Sequence, residues 1–154
     1  QLDAYRFSEM DYLKTFKPFL TKEHLAVMHA KGLEIGSHSS NHPRFQLLTT
    51  EEQQREISES LRFIRVDLNM TCRCFAFPFN DNAIRKYLYN FSKENGVDLL
   101  FGTGGFTHDC IPFSLQRFAM DGGFAKVPVG QVIRYNSLLS FTKRLRFRNK
   151  IERH

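Results

Sequence analysis

An α/β protein with a mostly parallel sheet is what this sequence predicts, on three observations. Stretches with apolar residues at helical spacing alternate along the chain with short apolar, aromatic runs of strand character. Most of the helical stretches carry a start or stop signal of their own. The unusual loops all follow the short runs, where the carboxyl ends of parallel strands gather function. At 154 residues and 42% hydrophobic, the chain is long and apolar enough to form one domain over 1–154 rather than a disordered segment. It begins at Gln1 without methionine, which suggests a processed product or a piece of something longer.

The first clear helix is "TKEHLAVMHAKG". Leu25, Ala26, Met28 and Ala30 fall at helical spacing, Thr21 can cap, and Gly32 stops the helix near 31. "LEIGSH" follows as a short strand, with Leu33 and Ile35 alternating against polar neighbours. "LTTEEQQREISESLRFIRVDLN" is a second helix. Thr49 or Thr50 caps it, Glu52 or Gln53 completes a capping box, and Ile57, Leu61, Ile64 and Leu68 form its apolar stripe. "CRCFAFPF" reads as an apolar strand ended by Pro78. "DNAIRKYLYNFSKENG" is a third helix, capped by Asp81, with Ile84, Leu88 and Phe91 inward and Gly96 as terminator. "VDLLFGT" is a strand that "TGG" turns, "SLQRFAMD" another strand, and "VGQVIRYNSLLSFTKRL" the last helix. His38 and His42, "FPFND" and "GTGGFTHD" thus fall on one rim.

Two imidazoles four residues apart invite a metal, but the helical zinc-protease pattern does not apply. Gly36 precedes the pair, no glutamate follows His38, and Pro43 holds His42 out of helical dihedrals. In a loop leaving a strand they could still meet at one point, since zinc accepts neutral imidazole nitrogen. The other reading is a polar loop in which one histidine hydrogen-bonds and the other is exposed. Spacing alone leaves both open.

"GLEIGSHSSNHPRFQLLTTEEQQREISES", followed by "CRCFAFPFND" about thirty residues after His42, resembles the polysaccharide deacetylases, the NodB-like domains of carbohydrate esterase family four. The resemblance runs from about Leu20 to Phe118. It implies a distorted (β/α) barrel, incomplete here at its N-terminal end, and metal-dependent removal of acetyl groups from an N-acetylated carbohydrate polymer. It implies His38 and His42 as ligands of a divalent metal, zinc first, with Phe79 offering its backbone N–H to the oxyanion. Pro78, Phe79 and Arg117 would be substrate-binding, the last with a structural ion pair as its alternative. It also implies an extracellular or cell-envelope setting.

The chain departs from the family pattern in three places. The Asp-Asp of the family's first motif, source of the base and a third ligand, is not in the sequence and belongs upstream of Gln1; Asp3 and Asp11 are lone acids that read as surface groups. The late general-acid histidine is also missing, since His108 is out of position and His154 is terminal. In the third motif, Ala76 and Asn80 replace the usual arginine and glycine. These departures leave a non-catalytic carbohydrate-binding relative as the alternative.

The charge excludes less than it suggests. From Lys143 on, six cations against Glu152 account for +5 of the net +6. The body is therefore near neutral, and the tail reads as a solvated basic helix or terminus, with contact to an anionic polymer or a membrane surface as its alternative; no nucleic-acid partner is expected. No run approaches a membrane span. Three cysteines (Cys72, Cys74 and Cys110) make no disulfide framework.

Overall fold

The computed structural model describes residues 9–16, 19–119, 127–145 and 150–154. Asp3, the side chain of Asp11, Met120 and Asp121 of the "SLQRFAMD" run, and Arg146 and Arg148 of the basic tail lie outside the described residues. The chain divides into two compact units, residues 1–34 and 35–154.

The first unit holds α1 (Glu9–Phe16) and α2 (Lys22–Ala30). The predicted start of α2 is a capping box. The His24 N–H donates to Thr21 Oγ1 and the Thr21 N–H to His24 Nδ1, both at 3.3 Å. Gly32, at φ +86°, takes the left-handed conformation that ends a helix without a Cβ penalty.

In the second unit, α3 (Thr50–Arg62) opens on Thr49, whose hydroxyl accepts the Glu52 N–H while the Glu52 carboxylate accepts the Thr49 N–H. A π turn (Phe63–Asp67) follows. The sheet is β1 (Cys74–Ala76), β2 (Leu99–Gly102) and β4 (Ser114–Gln116), parallel throughout and ordered β1-β2-β4. The helix α4 (Lys86–Glu94) lies between β1 and β2 in sequence. A separate parallel pair joins β3 (His108–Asp109) to β5 (Lys150–Ile151), and α5 (Val129–Leu145) matches the predicted last helix. The described residues are α/β as the sequence predicts, but they form an open sheet and no closed barrel.

Aromatic rings make the core. Phe45, Phe75, Phe77 and Tyr89 are fully buried, with ring centroids 5.2–5.9 Å apart in edge-on or tilted pairs. Each such side chain contributes about 1.5–3 kcal/mol by leaving water. Ile57 and Leu61 of α3, Ile64 just beyond it and Leu88 of α4 are buried as well.

Three expectations need correction. "LEIGSH" forms no strand but one parallel bridge, Ser37 to Phe75, because Ser39 turns left-handed (φ 71°) two residues on and leaves room for a single rung. Asp81 caps no helix: α4 starts at Lys86, its N-cap is Arg85 with no side-chain cap bond, and the Asp81 carboxylate is buried against Arg153 instead. The basic tail is not solvated at its end. Arg153 is buried between Asp81 and Asp109, at 2.7 Å from the latter, and lies over the Tyr89 ring.

Candidate metal and oxyanion site

The short bridge at Ser37 decides where His38 stands. The Ser37 N–H donates to the Cys74 carbonyl at 2.9 Å and the Ala76 N–H to the Ser37 carbonyl at 2.8 Å. The buried Ser37 hydroxyl donates to Ser60 on α3 at 2.6 Å. His38 therefore leaves a fixed backbone, and its Nδ1 sits 2.8 Å from the Ala76 carbonyl. A carbonyl only accepts, so Nδ1 carries the proton and Nε2 keeps a free lone pair. Desolvation holds the His38 pKa below the ordinary imidazole value. The Ala76 bond offsets part of that shift, and His42 and Arg117 add to it. His38 is thus neutral at pH 7, as a metal ligand must be.

His42 is brought to the same place by a strained turn. Its φ is +52° and its N–H donates to Ser39 Oγ at 3.0 Å. The two imidazole centroids lie 5.0 Å apart, and His42 meets the Phe79 ring edge-on at 4.8 Å. Phe79 follows the buried Pro78, stands 53% exposed and is itself left-handed at φ +55°, with Arg44 over its face at 5.3 Å. Among the described residues its N–H meets no hydrogen-bond acceptor. Ser39, His42 and Phe79 each cost about 1–3 kcal/mol in this conformation, and such strain collects where a site must be shaped.

What holds the turn is Glu56 on α3. One carboxylate oxygen accepts the Ser40 and Asn41 N–H groups at 2.9 Å each, and the other accepts the Asn41 side-chain amide at 2.6 Å. Burial raises its pKa, but the three donors prevail and hold it below the usual carboxylate value. Sequence reasoning missed it, though a signal was there. Gln53, Glu56 and Ser60 recur at spacings of three and four along α3, a buried polar stripe beside the apolar one.

A sequence profile for the polysaccharide deacetylase family matches residues 7–100. The chain belongs to the polysaccharide deacetylase family. No curated protein and no solved structure matches it.

The deacetylase match starts upstream of the predicted Leu20 and stops before Phe118. It takes in His38, His42, Pro78 and Phe79, which the structure brings together, and leaves Arg117 outside. Arg117 makes no ion pair among the described residues. Its Nε donates to the Gly102 carbonyl at 3.1 Å and its Nη2 to the Phe77 carbonyl at 2.7 Å, tying the end of β2 to the segment before Pro78. His108 lies on β3 opposite Lys150. Cys72 is buried, and that burial raises the pKa of its thiol.

As a place for a divalent metal the pair His38 and His42 fits in part. Two imidazoles converge, and a carbonyl fixes the tautomer of one, the arrangement that orients ligating histidines generally. An open zinc site uses three protein ligands, and among the described residues no third histidine, cysteine or acid joins the pair. No described helix is long and apolar enough to cross a membrane.

Proposed function

We propose that the second unit carries the histidine and oxyanion side of a site that removes acetyl groups from an N-acetylated carbohydrate polymer, with zinc as the metal. The observation that carries this is the His38 ring, held by Ala76 with Nε2 free and His42 beside it. His38 Nε2 and the His42 imidazole would hold the metal, whose bound state polarises an amide carbonyl and makes water acidic. The chain's own residues prepare the rest. The Ala76 carbonyl keeps the His38 ring from turning, and the Phe79 N–H offers a donor where negative charge would build on the acetyl oxygen. The exposed Phe79 ring gives a sugar an apolar face. Pro78 and Arg117 hold the segment that presents both.

Hydrolysis also needs a base within hydrogen-bond reach of the attacking water. Glu56, the carboxylate that holds the loop, is engaged by three donors. The lack of a third ligand among the described residues favours a second reading, a carbohydrate-binding relative that keeps the exposed Phe79 ring without turnover. Calorimetry with zinc tests the metal assignment. One site lost in both His38→Ala and His42→Ala supports it, and zinc uptake indifferent to both changes refutes it. Acetate release from N-acetylated oligosaccharides then separates the enzyme from the binding reading.

A further inference from the structure

A cleft of about 340 Å³ opens where β2 and β4 end. One wall is the turn Thr103–Thr107, which Gly105 allows at φ +67°. Another is Arg117 with Phe118, and the third is a face of α5 carrying Asn136 and Lys143. The Ser140 hydroxyl donates to the Phe106 carbonyl at 2.7 Å and fixes that helix against the turn. Phe106 and Phe118 stand edge-on at 5.2 Å, an aromatic lip of the kind that packs against a sugar ring.

This cleft joins a cation of the near-neutral body, Arg117, to the first cation of the basic tail, Lys143. Neither Arg117 nor Lys143 has a carboxylate within ion-pair distance among the described residues. Arg117 uses Nε and Nη2 on neutral carbonyls, so its positive charge is uncompensated there. Two such cations on one cleft, beside aromatic and amide groups, favour an anion carried on a sugar. The cleft also shares Arg117 with the acetyl site, through the bond to Phe77 two residues before Phe79.

We infer that this cleft is a subsite for an anionic substituent, such as a carboxylate, on a sugar neighbouring the one at His38 and His42, so the polymer is acidic rather than neutral. This rests on the carbohydrate reading above and narrows its substrate class. Calorimetry on the full chain at low salt would compare two hexasaccharides. One alternates glucuronic acid with N-acetylglucosamine; the other is the neutral N-acetylglucosamine hexamer. The acidic hexamer binds about tenfold tighter, as one charge-assisted contact would give. Lys143→Met removes most of that preference and leaves the neutral hexamer's affinity unchanged. Lys86→Met, which removes an exposed charge on α4, keeps the preference.

Equal binding of both hexamers, each weakened by Phe79→Ala, overturns the anionic subsite while the carbohydrate site stands. A preference lost equally in Lys86→Met also overturns it, as does a uridine hexamer that binds as tightly and depends on Lys143. Binding of neither hexamer removes the carbohydrate reading and the subsite together.

Discussion

Replacing Glu56 by glutamine puts one interaction of the histidine loop under direct test. The carboxylate accepts three N–H groups from Ser40 and Asn41, on a residue that is 9% exposed. Glutamine fits the space but keeps one acceptor oxygen and sets its own NH2 against a donor. Each hydrogen bond to a buried charge is worth about 1.5–3 kcal/mol, and the change loses one and weakens the others. We expect Glu56→Gln to cost about 3 kcal/mol, a drop of about 1–2 M in the urea midpoint followed by circular dichroism. The pH dependence supplies the sign. The folded-state pKa of Glu56 lies below its ordinary 4.5, so its contribution is complete above that pH and is lost as pH falls through the lowered value. The gap between parent and variant should therefore close in acid. A variant as stable as the parent at pH 7, or a gap that persists below the lowered value, would refute this account of the loop.

Three further outcomes follow from the same geometry. Arg153→Met strands Asp81 and Asp109 without their cation; breaking such a buried pair costs about 3–5 kcal/mol, so thermal unfolding should fall steeply, and an unchanged Tm would mean the pair contributes nothing. Gly102→Ala drives a methyl into the Asp81 carboxylate and the Gln116 amide, an overpacking cost of about 1–3 kcal/mol that urea unfolding would read. Phe79→Gly relieves a left-handed phenylalanine yet keeps the backbone N–H, so stability should stay within about 1 kcal/mol of the parent, while affinity for N-acetylated oligosaccharides drops severalfold with loss of the ring.

The sequence makes the helices legible because their signals are local. The capping residues Thr21 and Thr49, the stops at Gly32 and Gly96 and the stripe through Ile57 and Leu61 all act within a few residues. The strands predicted over 33–38 and 72–79 come out shorter because pairing depends on distant partners: Ser37 finds only Phe75, and β1 spans Cys74–Ala76. The histidines were legible by spacing, but their poise was not, since it comes from the Ala76 carbonyl thirty-eight residues away. Asp81 and Arg153 were misread for the same reason. An acid before a helix suggests a cap and an arginine in a basic tail suggests solvent, yet seventy-two residues apart they bury each other. Glu56 is not legible from the apolar stripe of α3, because its role comes from the Ser40 and Asn41 backbone sixteen and fifteen residues away.

The central claim is that His38 and His42 are a ligand pair whose geometry the fold sets in advance. Nitrogen-15 NMR of the histidine side chains, followed through a zinc titration, tests it most directly. His38 should show the tautomer protonated at Nδ1 before any metal is added, and zinc should then shift His38 Nε2 together with one nitrogen of His42 at the same stoichiometry. A His38 protonated at Nε2, or a titration that moves neither ring, would contradict it.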